Sequence, residues 1–206
     1  MRTVSYGERT LSPVDRFGVW LSLRALRRDV DWSARPRVLD LGSGYEATLL
    51  RALAPRIGAA TAVDVSLSPA LGADGVRAIE APIEEALPGL ADASADVVLA
   101  ISVLEHLDDD AAALHECHRV LAPGGVLAVN VPTWLGKWFL EFSAYRLGLS
   151  PAEEMDDHKR YYDPRDLWPL LVRAGFKPSE IKCHRHKFGL NTWAQCRRSE
   201  TTKEDA

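Results

Sequence analysis

The chain has 206 residues, of which 47% are hydrophobic and 26% are charged, with a net charge of −4; these proportions are typical of a soluble, globular, single-domain protein. No run of eighteen apolar residues occurs, and the first eight residues lack the apolar core of a signal peptide, so we expect neither a transmembrane span nor a secretory leader. Residues 38–172 hold 9 basic and 21 acidic groups, a balance that would repel phosphates and argues against a nucleic-acid groove.

The N-terminal region predicts one amphipathic helix over about residues 12–28. Ser12 suits the N-cap position and Pro13 the first turn, and the basic residues near the end complement the helix dipole. We interpret this helix as a cover over the rest of the fold, and a lid over a binding site is the alternative.

The segment Val38–Glu46 organises the rest of the chain. Four strand-forming residues run into Gly42 and Gly44, and residues 47–53 then favour a helix. A strand that breaks at glycines and re-enters a helix presents backbone N–H groups to a ligand in α/β proteins. The glycines permit a tight turn and leave no Cβ between the backbone and that ligand.

A second buried strand is predicted over residues 59–65, and it carries Asp64, twenty residues after Gly44. In a doubly wound sheet this separation puts a carboxylate beside a ribose that is bound at the first turn. We favour that role for Asp64, and a residue that caps the following turn is the alternative.

Further strands are predicted over residues 75–80, 95–102 and 126–131, with a helix from Asp108–Asp110 to about Leu121. Alternation of strands and helices implies a parallel, doubly wound, Rossmann-like α/β sheet with helices on both faces. Ligands bind such sheets at the carboxyl ends of the strands. Several polar or glycine positions fall there, so one site is expected: Gly42–Gly44, Asp64, Glu84 and Ser102–His106.

The pattern changes after Thr133, where about residues 133–160 form an aromatic-rich insertion. It is long for a loop and too apolar for disorder, so we expect a lid over the mouth of the site, and peripheral membrane contact through it is left open. A helix over 164–174 and two final strands, 177–187 and 189–197, complete a single domain of residues 1–198, and the polar tail 199–206 is expected to be disordered. The basic residues of the C-terminal part either touch an anionic substrate or form a solvated face, and the solvated face is favoured: Lys182, Arg185, Lys187, Arg197 and Arg198.

Four motifs occur together in order: Val38–Gly44, Asp64, Val103–Leu107 and Arg119–Gly125. The set resembles the class I methyltransferases that use S-adenosylmethionine, and it covers residues 36–131 well and 160–198 loosely. The resemblance implies S-adenosylmethionine as the cofactor and a seven-stranded sheet, mostly parallel, whose last strand is antiparallel.

The resemblance also implies roles for the matching residues. Asp40 and the glycine turn would hold the methionine part, Asp64 the ribose, the Ile83–Glu84 loop the adenine, and Ser102 would lie beside the sulfonium. Two positions depart from the pattern, because Glu46 replaces a third small residue and Ile83 stands where an acid is common. The expected cofactor-binding residues are Asp40, Gly42, Ser43, Gly44, Glu46, Asp64, Val65, Ile83, Glu84 and Ser102.

Methyl transfer from a sulfonium is an in-line displacement, so alignment and exclusion of water can supply most of the catalysis. Two histidines, His106 and His158, are candidate bases because their ordinary pKa lies near neutrality. For each of them a structural role is the alternative, as a packing residue or a lid hinge. The His and Cys residues near 115–118 and 183–186 are too few for a closed zinc site, and we expect no metal.

We therefore predict a cytoplasmic S-adenosylmethionine-dependent methyltransferase with a small-molecule acceptor, and the aromatic insertion slightly favours sugar- or lipid-linked acceptors. The cytoplasmic setting follows from three cysteines without framework spacing, Cys117, Cys183 and Cys196. A degenerate binding protein of the same fold is the second hypothesis, motivated by Glu46 and Ile83. An NAD-dependent enzyme is the third, since Asp64 would permit it.

Overall fold

The computed structural model describes residues 13–139 and 159–200. These residues form a seven-stranded sheet in the order β3-β2-β1-β4-β5-β7-β6. The strands are β1 (Arg37–Leu41), β2 (Ala59–Asp64), β3 (Val76–Glu80), β4 (Ala95–Ile101), β5 (Leu121–Pro132), β6 (Ile181–His186) and β7 (Asn191–Arg197). The α-helices with described ends are α1 (Pro13–Asp29), α2 (Thr48–Leu53), α3 (Ile83–Ala86), α4 (Asp110–Val120) and α5 (Pro164–Arg173), and residues 134–139 are also helical.

Strands β1 to β5 are mutually parallel, and β7 runs antiparallel to both β5 and β6. The predicted Rossmann-like α/β sheet with an antiparallel end is therefore confirmed. Because β1 lies between β2 and β4, the carboxyl ends of these three strands and of β5 share one edge of the sheet. That edge is where a parallel sheet binds its ligands.

Two apolar clusters fill the two faces of the sheet. One contains Leu114, Leu167 and Leu171, so α4 and α5 cover that face. The other contains Leu26 and Leu50, so α1 and α2 cover the opposite face, and its largest buried side chain is Trp193 of β7. Buried on both faces, β4 shows the continuous apolar pattern that a central parallel strand needs.

The predicted start of β5 was wrong, because the strand begins at Leu121 rather than at residue 126. Residues that resemble a turn are drawn into the sheet by the C-terminal end of the chain. The amide of Gly124 donates to the carbonyl of Arg198, and the Arg198 amide donates to the carbonyl of Gly125, both at 2.9 Å. A positive φ of 77° at Gly124 supplies the bend. Strand β6, by contrast, begins later than predicted, at Ile181 rather than at residue 177.

The helix predicted over about 12–28 is observed as α1. Three predicted features lie outside the described residues: the N-cap residue Ser12, residues 140–158 of the predicted lid, and residues 201–206 of the tail. Within the described ranges, no helix has the length and apolar character needed to cross a bilayer.

Candidate functional site

The glycine turn after β1 is held by the end of β2. The amides of Gly42 and Ser43 both donate to the carbonyl of Val63, at 2.8 and 3.2 Å. The Asp64 carboxylate accepts from the amide of Gly44 through one oxygen and from the amide of Val65 through the other, both at 2.8 Å. The two sequence motifs thus meet in one structural unit, and each carboxylate oxygen keeps a lone pair for a further donor.

Gly42 is required by both conformation and space. Its φ is +64°, and a Cβ built on it would lie 2.4 Å from Cγ2 of Val103. Gly44 also has a positive φ, of 75°, and Ala47 has a φ of 43° before α2 begins. Left-handed residues in such number within six positions are uncommon and mark a turn that the surrounding fold holds in place.

Asp40 is the buried acid of this site. The residue is 1% exposed, and its Oδ2 atom has no hydrogen-bond partner among the described residues. Burial, with a smaller contribution from the charge of Asp64, raises the pKa of Asp40 to about 8. A buried acceptor without a partner calls for an explanation, and a cationic ligand group would supply both a hydrogen bond and a charge.

Glu46 and Glu84 both have partners in the structure. The Glu46 carboxylate pairs with Arg51 at 2.8 Å, with its side chain 41% exposed. One carboxylate oxygen of Glu84 accepts from the Asp108 amide at 2.8 Å, which fixes the chain before α4. Ile83 packs against the core, and its Cδ1 atom lies 3.8 Å from the position of a Cβ on Gly42. Contacts of Ile83 and Glu84 with an adenine stay a prediction.

Ser102 follows β4 in a left-handed conformation, with a φ of 59°. Its amide donates to the carbonyl of Asn130 at 2.7 Å, which ties the end of β4 to β5. His106 closes a 3-10 turn over Leu104–His106, is half-buried, and donates its amide to the Val103 carbonyl at 3.0 Å. The second candidate base, His158, lies outside the described residues.

A buried network beside the site was missed by sequence reasoning. Tyr162 is 3% exposed, and its hydroxyl donates to Asp110 at 2.6 Å, while Arg160 pairs with the same carboxylate at 2.5 Å. The amide of Tyr162 donates to the carbonyl of Pro132 at 2.9 Å. The chain that returns after the insertion is thereby fixed to α4 and to the end of β5.

Among the described residues, the His, Cys, Asp and Glu side chains do not come together as a metal centre. In residues 13–139 and 159–200, no group of three or more His, Cys, Asp or Glu side chains has metal-binding geometry. Cys117 and Cys196 are buried free thiols, and burial raises the pKa of Cys117 to about 12. The site at the carboxyl edge is thus made of carboxylates, backbone amides and glycines.

A sequence profile described as "Methyltransferase domain" matches residues 39–129, which span this edge. An Azotobacter vinelandii protein named ubiquinone biosynthesis O-methyltransferase is 35% identical over 72% of this chain and 67% of its own length. The chain belongs to the class I S-adenosylmethionine-dependent methyltransferases. The predicted resemblance is therefore confirmed.

Other methyltransferases agree with this assignment. A Mycobacterium tuberculosis protein named probable S-adenosylmethionine-dependent methyltransferase is 30% identical over 82% of this chain and 60% of its own length. The chain spans between 36% and 60% of the length of the mycobacterial relatives that it matches. A Thermotoga maritima structure, titled SAM-dependent methyltransferase and possible histamine N-methyltransferase, shares the fold with a TM-score of 0.68 at 22% identity, over 90% of this chain and 92% of that one.

Proposed function

We propose that this methyltransferase-family chain is an active enzyme that binds S-adenosylmethionine and transfers a methyl group to a small-molecule acceptor. The observation that carries the proposal is the arrangement of two carboxylates around one glycine turn. Asp64 holds the turn through the Gly44 amide, and Asp40 is buried so close to Asp64 that the charge of Asp64 raises its pKa. A ligand with a cationic amine and two vicinal hydroxyls matches that pair of acids.

The residues present fit S-adenosylmethionine. Asp40 would receive the α-amino group, because its Oδ2 atom is buried without a partner among the described residues. Asp64 would accept from the ribose hydroxyls, and the absence of a Cβ at Gly44 would let the methionine part approach the backbone. Ser43 and Val65 flank these contacts. Glu46, Ile83 and Glu84 complete the set of proposed cofactor residues.

The cofactor supplies an electrophilic methyl group, and the chain has to orient and shield the reacting atoms. Ser102 is held in its left-handed conformation by the carbonyl of Asn130, so its backbone position beside β4 is fixed before any ligand arrives. Such preorganisation lowers the cost of alignment in a displacement reaction. His106, in the next turn, is the described residue that we propose as a base for an acceptor whose nucleophile carries a proton.

The acceptor is proposed to be a small molecule with an apolar portion, and sugar- or lipid-linked compounds fall in this class. Aromatic side chains are exposed along the segment that follows β5. Trp134 is 54% exposed and Trp138 63%, and the Trp134 ring lies 5.4 Å from that of Tyr161. Rings of this kind provide apolar area with little loss of side-chain entropy on binding.

Calorimetry with S-adenosylmethionine, S-adenosylhomocysteine and NAD, followed by an acceptor screen with methyl-labelled cofactor, tests the proposal. We expect binding of the first two ligands, no binding of NAD, and label transfer to at least one acceptor. Binding without transfer across a broad screen would favour a binding protein of the same fold. Absence of binding by either sulfur ligand would refute the proposal, and NAD binding alone would favour a nicotinamide-dependent enzyme.

A further inference from the structure

The basic residues of the C-terminal part do not share one environment. Arg197 donates to the carbonyl of Gly124 at 2.7 Å, and Arg198 donates to the Arg119 carbonyl at 2.9 Å, so both stabilise the end of the sheet. Lys182 is exposed. Lys187 differs from these residues, because its side chain is half-buried and reaches Gly18 of α1.

The surroundings of Lys187 bring three elements together. Its Nζ atom lies 3.8 Å from the position that a Cβ on Gly18 of α1 would occupy. Burial lowers the pKa of Lys187 to about 8, and the negative charge of Glu105, in the turn after β4, only partly opposes that shift. No carboxylate of residues 13–139 or 159–200 comes within ion-pair distance of this ammonium group. Lys187 is half-buried, and a cation withdrawn from water without a paired anion is costly and uncommon.

The turn that carries Lys187 is strained and anchored. Lys187, Phe188 and Gly189 have successive φ values of 48°, 60° and 88°, all left-handed. The hydroxyl of Thr133 donates to the Gly189 carbonyl at 2.8 Å, and the Thr133 amide donates to the Leu190 carbonyl at 3.0 Å. The end of β5 thus holds the turn over the site in a conformation that two side-chain-bearing residues rarely adopt.

Other polar atoms on the same side of the sheet also have no partner. Ser22 of α1, Asn130 of β5 and His186 of β6 each bury a side-chain oxygen or nitrogen that forms no hydrogen bond within the described part of the chain. Through the β5–β7–β6 register, Asn130 pairs with Trp193, and the His186 ring lies 5.4 Å from the Trp193 ring, so these groups face α1. Buried polar atoms are normally paired, and several on one side indicate a polar ligand.

We propose that Lys187 is the anion-binding residue of an acceptor site between α1 and the ends of β4 and β5, and that the acceptor carries an anionic oxygen group such as a carboxylate. The inference rests on the proposed methyltransferase function. The proposed cofactor residues Asp40 and Asp64 lie at the ends of β1 and β2. Strand β4 lies between β1 and β5, so the ends of β1 and β5 are about 10 Å apart across the sheet. The distance suits an acceptor beside a bound cofactor, and the acceptor's charge would supply what Lys187 lacks.

The chemistry favours an anion over a neutral acceptor. A protonated lysine in a partly buried site gains a charge-assisted hydrogen bond from a carboxylate, and only a weaker one from an amide. Lys187 must be protonated for this, so affinity for an acid should fall as pH rises above about 8. Within residues 13–139 and 159–200, the titratable groups coupled to its ammonium are Glu105 and His186. Burial lowers the pKa of His186 to about 4, so this neighbour stays neutral in the range in which Lys187 titrates.

The test uses matched probes on the full chain, with and without saturating S-adenosylhomocysteine. Calorimetry compares a panel of hydroxylated aromatic acids, 3,4-dihydroxybenzoate among them, with the corresponding carboxamides. In the wild type we expect at least one acid to bind about tenfold or more tightly than its amide, the effect of one charge-assisted hydrogen bond. Lys187→Met should abolish that preference, Lys187→Arg should keep part of it, and Lys182→Met serves as the control that keeps it fully.

The outcomes separate the two proposals. The preference for acids over amides is measured both with and without S-adenosylhomocysteine. If the wild type does not bind S-adenosylhomocysteine, the enzyme proposal is refuted, and the role of Lys187 is still tested by the measurements made without that ligand. No acid preference in the wild type, or an equal preference in K187M, would overturn the role of Lys187. The role of Lys187 would also be overturned if K187M lost as much affinity for S-adenosylhomocysteine as for the acids, because the lysine would then serve the fold or the cofactor. Unfolding of K187M by urea should show equal or higher stability, since a half-buried charge without an ion pair in the described part of the chain is removed.

Discussion

Gly42 offers the sharpest test of how the glycine turn is built. Replacement by alanine has two separable costs, because the residue has a φ of +64° and its new Cβ would lie 2.4 Å from Cγ2 of Val103. The left-handed conformation costs about 1–2 kcal/mol for a residue with a Cβ, and forcing an extra methyl into a packed site costs about 1–3 kcal/mol. Gly42→Ala should therefore lose roughly 2–5 kcal/mol of unfolding free energy.

Two other glycines provide matched controls for the two costs. Gly75 has a φ of +74° with no heavy atom within 4 Å of a built Cβ, so Gly75→Ala isolates the conformational cost of about 1–2 kcal/mol. Gly72 has open space and no left-handed φ, so Gly72→Ala should leave stability unchanged or raise it by up to about 1 kcal/mol. Urea unfolding measures all three variants.

The Val103 contact is tested by a double-mutant cycle. Val103→Ala removes Cγ2, so Gly42→Ala should cost less in that background than in the wild type. Calorimetry should also show that Gly42→Ala weakens S-adenosylhomocysteine binding while Gly75→Ala does not. Equal losses for Gly42→Ala and Gly75→Ala, with no coupling to Val103, would refute the steric argument.

Three further variants test the neighbouring contacts. Asp64→Ala should lower S-adenosylhomocysteine affinity by about tenfold or more in calorimetry, since a charge-assisted hydrogen bond contributes about 1.5–3 kcal/mol. An unchanged affinity would contradict the ribose role. The Asp64→Asn variant shows how much of the affinity depends on the charge of this side chain. Glu46→Gly should preserve or tighten that affinity and change stability by no more than about 1 kcal/mol, because the ion pair of this residue with Arg51 is partly exposed to solvent. A large loss of affinity would show that the acid works in the site. Tyr162→Phe should lower the free energy of unfolding, measured by urea, by about 1–3 kcal/mol, because the buried Asp110 carboxylate loses a donor at 2.6 Å. An equal loss for Tyr161→Phe would contradict that explanation.

Local patterns in the sequence were sufficient for the fold class and for placing Asp64 beside the glycine turn. The strand and glycines of Val38–Gly44 and the twenty-residue separation to Asp64 predicted that this carboxylate lies at the first turn, and in the structure it accepts from the Gly44 amide. These features could be predicted because each depends on residues close in sequence or on a connection of standard length. The start of β5 could not, because Leu121 pairs with Ala95 of β4 across a register shift and Gly124 bonds to Arg198, and both contacts join distant parts of the chain.

The roles of charged side chains depended on contacts that no local pattern contains. Glu84 follows the third strand as an adenine-binding residue would, yet one of its oxygens accepts from the Asp108 amide. Lys187 is one of seven basic residues in positions 173–198, and nothing in its own segment separates it from Lys182.

The sequence by itself determined the alternation of strands and helices, the glycine turn and the acid that follows the second strand, because hydrophobic periodicity and backbone freedom are local properties. Only the tertiary structure decided which charges are buried. It placed Asp40 beside Asp64, which together with burial raises the pKa of Asp40 to about 8, and it placed Lys187 against Gly18 of α1. Burial and proximity to distant chain segments set the free energy of a charge, and both arise only when the chain is folded.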